Sequence, residues 1–275
     1  MMYRNALFVL SLAVGCTSAS NPLEGERWEL YWEDEFKGEA GASPNPDNWD
    51  FDIGGEGWGN EQLEFNTDRP ENVALDGNGF LRIHALREQY EGNAWTSARI
   101  KTKDKFEFTY GRVEAKILLP EGMGFWPAFW MLGANIEERG WPLCGEIDIL
   151  EARGNKPREV HGSLHGPGYS GGEPITSTYN FPEESTGISD FHTYRIDWDP
   201  DHIAWYVDDQ LYQTAHPGDA SGAWAFDQDF FLLLNLAVGG VFLPNPDATT
   251  PDTGLMAVDW VRVYKRKTPL PDPDL

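Results

Sequence analysis

Only two cysteines, Cys16 and Cys144, occur among the 275 residues. That excludes a disulfide scaffold. Once Cys16 is removed or lipidated, no disulfide can form within the domain, and the fold rests on its apolar core. Cys144 has no His or Asn of a thiol-protease signature beside it and reads as a buried, inert thiol. Positive charge is also scarce: 21 Lys and Arg against 45 Asp and Glu give a net charge of −24 at pH 7. Such a field repels nucleic acid, anionic membranes and sulfated polysaccharides, favours solubility, and is indifferent to a neutral glycan. Past the N-terminal segment no apolar run is long enough for a transmembrane span. A sustained helical period, an internal repeat and a linker are all missing. Residues 21–268 therefore read as one domain, and Pro269–Leu275 as a frayed, disordered tail.

What the chain does have favours β-structure. Its 29 Gly and 19 Pro punctuate it too often for long helices, while 40% hydrophobic residues are enough for a substantial core. Gly111–Leu119 alternates, with Val113, Ala115, Ile117 and Leu119 on one face and Arg112, Glu114 and Lys116 on the other. Tyr194–Trp198 and Ile203–Val207 form a predicted hairpin around Asp199-Pro200-Asp201. Phe230–Val238 is a continuous apolar run, as expected of a strand buried on both faces. Many strands and few helices imply a sandwich or barrel. The 12 Trp suit a core, and their flat faces also suit stacking on sugar rings.

Residues 1–20 have the plan of an export signal: Arg4, then an apolar run from Ala6 to Val14, then small residues. Two outcomes stay open. Cleavage near Ser18-Ala19-Ser20 releases an extracellular protein. Alternatively Ala13-Val14-Gly15-Cys16, a lipoprotein-like box, makes Cys16 a lipid-anchored first residue of an outer-membrane-attached protein.

The chemistry concentrates in Gly145–Glu151, where Glu146, Asp148 and Glu151 interrupt an apolar strand. Residues two apart share a face, so Glu146 and Asp148 project together, whereas Glu151 would point the other way. One extra residue, a bulge at Ile149–Leu150, returns it to the acidic face. Leaning side chains on a concave sheet then bring Glu146 and Glu151 toward the ~5–5.5 Å of a retaining glycosidase pair. Crowded carboxyls cannot all ionise, which provides one acid and one nucleophile. Three acids along a strand spread poorly around a single metal ion. His161 and His165 have zinc-like H-x-x-x-H spacing, but Gly162 and Gly166 argue against the helix it requires. Asp76-Gly77 and Asn78-Gly79 read as turns.

Trp126–Leu132 (WPAFWML) followed by Gly145–Glu151 (GEIDILE) resembles glycoside hydrolase family 16, and within it the laminarinase-like β-1,3-glucanases. The likeness continues through Trp58-Gly59-Asn60-Glu61, Tyr110-Gly111-Arg112, Leu164–Tyr169, Leu234–Gly240 and Val258–Tyr264. It implies a concanavalin-like β-jelly-roll sandwich with a concave substrate cleft, acting as a monomer on a β-glucan polysaccharide with no catalytic cofactor. It also implies that Glu146 is the nucleophile, Glu151 the acid/base and Asp148 their helper. Trp126, Trp130 and Trp141 would wall the sugar subsites, and Asn60, Arg99 and His165 would bond hydroxyls. A structural calcium would take Glu35 and Asp259 by side chain and Gly79 by carbonyl, a hard-oxygen set. The alternatives are a mixed-linkage glucanase, an agarase- or carrageenase-like enzyme, and a non-catalytic glucan-binding sandwich. The intact acid triplet argues against the last, since fold alone does not give activity.

Overall fold

A computed structural model describes residues 27–267. The export segment, Cys16 and the tail lie outside the described residues. Two sheets, antiparallel except for the parallel β3–β6 pair, stack face to face as the jelly-roll sandwich implied above. The back sheet runs β16 (Gln210–Ala215), β15 (His202–Val207), β14 (His192–Asp199), β9 (Gly111–Leu118), β18 (Thr253–Arg266), β5 (Leu81–Leu86), β6 (Trp95–Ser97) and β3 (Glu64–Asn66). To it are added β1 (Trp28–Asp34), paired with β18, and β4 (Val73–Leu75), paired with β5. The acid-bearing sheet runs β13 (Ile175–Asn180), β12 (Glu159–His165), β11 (Glu146–Ala152), β10 (Phe125–Gly133), β17 (Phe230–Val238), β7 (Arg99–Lys101) and β2 (Asp50–Phe51), with β8 (Glu107–Phe108) on β17.

Alternation decides which side chains enter the core between the sheets. Val113, Ala115 and Ile117 of β9 are fully buried there, as are Ile196 and Trp198 of β14, which meets β15 in the expected hairpin. Arg112 and Asp197, on the opposite face of the back sheet, are buried as well. Their guanidinium and carboxylate form a bidentate pair at 2.7 and 2.8 Å, which accounts for two charges leaving water together.

β17 is buried along its whole length. Its even-numbered residues Phe230, Leu232, Leu234, Leu236 and Val238 join the main core. The odd-numbered ones do not. Phe231 and Leu233 cluster with Leu132 and Cys144, and Ala237 with Trp126 and Leu243. These small clusters underlie the acidic face. Cys144 is fully buried and its thiol is pushed up to about 11, chiefly by burial, as expected of an inert thiol.

Candidate active site

The acids stand where the strand parity requires correction. Ile147, Ile149, Leu150 and Ala152 of β11 face the core, leaving Glu146, Asp148 and Glu151 on the other side. Against β12 the register runs Asp148 to Ser163 and then Glu151 to His161, three residues against two. Against β10 it skips likewise between Leu150 and Asp148. The extra residue is the bulge expected at Ile149–Leu150, and it turns Glu151 onto the acidic face.

Register then lays out rows across the sheet. His161, Glu151, Ala128, Asn235 and Arg99 form one, and Ser163, Asp148, Trp130 and Leu233 the next. Glu146 sits opposite His165. Trp141, in the loop before β11, donates its indole N–H to Glu146 Oε2 at 3.0 Å, and Trp126 donates to Glu151 Oε1 at 3.0 Å. His165 Nδ1 accepts the Gly171 N–H at 3.1 Å, so the ring proton sits on Nε2. That nitrogen lies 3.2 Å from Asp148 Oδ2 and 3.7 Å from Glu146 Oε1.

Burial pushes all three carboxyls up, each to about 8. The Asp148 charge raises both glutamates further, while His165 opposes the rise at each of them. Neighbouring carboxyls titrate as a unit, and ionising one makes its neighbours hold their protons more tightly. Asp148, with only 4% of its side chain exposed against 18% for Glu146, is the deepest.

The tryptophans differ in role. Trp141 is 48% exposed and offers an open face. Trp130 donates to Asn235 Oδ1 at 2.7 Å and carries the Arg99 guanidinium 4.7 Å above its ring. Trp126 is buried, with Phe242 tilted against it at 5.0 Å, so it serves the cleft mainly through the N–H on Glu151. Asn60 is half-buried, and its carbonyl accepts the Val241 N–H at 2.9 Å.

Several contributors escaped the sequence reading. Arg99 also lies 5.0 Å from the Trp58 ring, and Asp52 lies 2.9 Å from its Nε and also pairs with Lys101. At the Glu151 end, Arg153 lies over Phe242 at 4.8 Å and donates to His161 Nε2 at 2.9 Å. An arginine can only donate, so His161 Nε2 accepts and its Nδ1 proton points to Thr178 Oγ1 at 3.0 Å. Burial and Arg153 lower His161 to about 4, leaving it neutral. Continuing the alternation two residues past Glu151 would have found Arg153. Asp52 and Phe242 come from distant loops and left no local signal.

The residues expected to hold calcium lie on the back sheet. Asp34 pairs with Val261 and Leu81 with Val258, which places Glu35, Gly79 and Asp259 around the middle of β18. Arg262 donates to Glu35 Oε1 at 2.8 and 2.6 Å, and Lys116 donates to Asp259 Oδ2 at 2.8 Å. Both acids thus already have cation partners, each through a single oxygen. Among the described residues, the one cluster of three or more acidic, His or Cys side chains with metal-like spacing is Glu146, Asp148 and His165, within 4.8 Å of one another.

Comparison with known proteins agrees with this geometry. The family model "Glycosyl hydrolases family 16" matches residues 55–262. A β-glucanase of Rhodothermus marinus is 39% identical over 96% of this chain and 95% of its own length. The structure of the catalytic domain of an endo-1,3-β-glucanase (laminarinase) from Thermotoga petrophila superposes with a TM-score of 0.83 at 45% identity, covering 88% of this chain and 100% of that one. An endo-β-1,3-glucanase from Pyrococcus furiosus gives 0.84 at 45% identity, over 90% and 97%.

A stability consequence follows from the raised carboxyls. Asp148 rises from an ordinary 3.8 to about 8, so ionisation costs the folded state more than the unfolded one. Its stabilising contribution is complete below the unfolded value and is lost as pH rises through about 8. Asp148→Asn removes that loss. Thermal melts should therefore show the variant above wild type at pH 8.5, with the gap closing at pH 4. A gap independent of pH would contradict a buried, ionisable Asp148.

Proposed function

This chain belongs to glycosyl hydrolases family 16, and from that premise we infer that it is an endo-β-1,3-glucanase that cuts laminarin-type chains with retention of configuration. The observation that carries the reading is the bulged strand, which presents Glu146, Asp148 and Glu151 together among indole donors. Glu146 receives the Trp141 N–H at 3.0 Å, a bond that favours its ionised form, and nearby His165 opposes the rise in its pKa, which suits a nucleophile. Glu151 receives the Trp126 N–H, and both glutamates are pushed up to about 8 beside Asp148, so that once Glu146 ionises Glu151 holds its proton more tightly, which suits a general acid near neutrality.

In the first step the Glu146 carboxylate bonds to the anomeric carbon. The carbon–oxygen bond to the leaving sugar breaks, and the Glu151 proton passes to that oxygen. In the second, Glu151 takes a proton from water, whose oxygen displaces Glu146. Asp148 adjusts the charge between them. Trp141, Trp130 with Arg99, and Asn60 are assigned to sugar binding. The chain's −24 charge favours a neutral glucan over a sulfated galactan.

Proton NMR of the first-formed product from laminarin should show the β-anomer. Glu151→Ala with azide and an activated aryl β-glucoside should yield the β-azide, whereas Glu146→Ala should yield only the α-azide. An α-anomer from wild type, or the opposite azide pairing, would overturn the assigned roles. Faster cleavage of κ-carrageenan than of laminarin would overturn the substrate.

The reading extends to calcium and to location. The Glu35 and Asp259 carboxylates and the Gly79 carbonyl would hold a calcium ion in place of the Lys116 and Arg262 contacts, on the sheet opposite Glu146. Chelator should lower the melting temperature, consistent with about 2.7 kcal/mol at a hundredfold excess of free ion over its dissociation constant, and leave the rate nearly unchanged. An identical melting curve would reject the site. Residues 1–20 direct export, and a monomeric product is either released or held through Cys16. Fatty-acid labelling of wild type but not of Cys16→Ser supports the anchor, and no label in either removes it.

A further inference from the structure

The β11 bulge has a partner on the other side of the sandwich. A bulge disrupts the strand ladder locally, and a carbonyl turned toward a dry core needs a donor there. The Asp148 carbonyl, at the start of the bulge, accepts the indole N–H of Trp205 at 2.8 Å. Trp205 belongs to β15 of the back sheet and is fully buried. The contact therefore crosses the whole core and ends on the backbone of the middle acid.

Two further features make room for it. On β12, Val160 and Leu164 face the core, and Gly162 lies between them on the same face. A Cβ at Gly162 would stand 2.5 Å from Trp205 Cδ1, 2.8 Å from its Nε1 and 2.6 Å from the Tyr212 hydroxyl oxygen. Gly162 faces the bulge, since it is the β12 residue opposite Ile149 and Leu150. Tyr212 is itself the extra residue of a second bulge. The pairing of β15 with β16 runs Trp205 to Gln213 and then Tyr206 to Leu211, skipping it. Two irregular segments, one in each sheet, thus meet over a missing side chain.

We propose that Trp205 is a positioning residue for Glu151: its N–H, seated over Gly162 and beside Tyr212, holds the Asp148 carbonyl so that the bulge delivers Glu151 to the cleft in the geometry that protonates the leaving oxygen. This rests on Glu151 being the acid/base. Trp205 touches no substrate, since the β11–β12 layer separates it from the cleft face. Its loss should therefore affect the protonation step and spare glucan binding.

The test compares wild type with Trp205→Phe, and with a form carrying 3-benzothienylalanine at position 205, in which sulfur replaces the N–H and little volume changes. The isostere keeps the test valid where the Phe variant fails to fold. The expected result is a ~10–100-fold fall in kcat on laminarin, the range for an acid displaced by a fraction of an ångström to an ångström, with KM within about twofold. Glycosylation by an aryl β-glucoside with an activated leaving group, which needs no proton, should fall much less. The alkaline limb of the pH–rate profile should move to lower pH as Glu151 becomes better solvated. Gly162→Ala, crowding the same socket from the other side, should reproduce this pattern. Unchanged kcat and alkaline limb in the isostere would overturn the proposal. So would equal losses on both substrates with an unmoved limb, which is the signature of a merely structural role. Glu151→Gln, run in parallel, tests the premise by itself. If the activated substrate does not relieve its loss in the first step, read as the burst of released aglycone or kcat/KM, the acid/base role of Glu151 falls, and with it this proposal.

Discussion

A strand shows alternate residues to alternate faces, and positions 146 and 151 differ by an odd number. Everything the acidic face can do depends on cancelling that parity. In β11 one additional residue does so, and the same strand then sends Ile147, Ile149, Leu150 and Ala152 into the core while Glu146, Asp148 and Glu151 stay on the other face. A regular strand would have buried Glu151 among aliphatic side chains, where an unpaired carboxyl is strongly disfavoured. The core and the site are thus satisfied by one irregularity. Neither could be kept without it.

Burial gives the site its reactivity and also its instability. The carboxyls are raised because the aromatic and apolar surroundings solvate charge poorly, and the surrounding groups moderate this without abolishing it. Indole N–H donors approach the two glutamates from opposite ends, and His165 presents its remaining proton to the middle of the line. Arg99 and Arg153 flank the row, each laid on aromatic faces that fix the direction of the guanidinium. A chain with a large acidic excess thus holds its clustered acids between two localised cations.

Much of this was legible in the sequence because it depends on local periodicity. The alternation of β9, the unbroken apolar run of β17, the hairpin of β14 and β15, and the bulge itself follow from spacing in a single segment. What was not legible depends on partners distant in sequence. Trp126 reads as a sugar platform until Phe242, more than a hundred residues later, is seen against its face. The calcium reading of Glu35 and Asp259 came from resemblance, and spacing could not reveal that Arg262 and Lys116 reach them. Asp52, which pairs with Arg99, sits in the loop after the short strand β2, with no pattern of its own. The socket beneath the bulge was invisible for the same reason: Gly162 looked like an argument against a helix, and its meaning lies in the sheet across the core.

The placement of β18 bears on how the chain comes to be folded. β18, the last strand among the described residues, pairs with β9 and β5, and β1 pairs with it, so it occupies the middle of the back sheet. Strand and partner stand at opposite ends of the described chain, where Lys267 donates its N–H to the Arg27 carbonyl at 2.9 Å. A ribosome making this protein releases the keystone after nearly everything that rests on it. Until then β9, β5 and β1 lack the strand they pair with. High contact order of this kind makes folding slow, because the pairings of β18 join segments far apart in sequence.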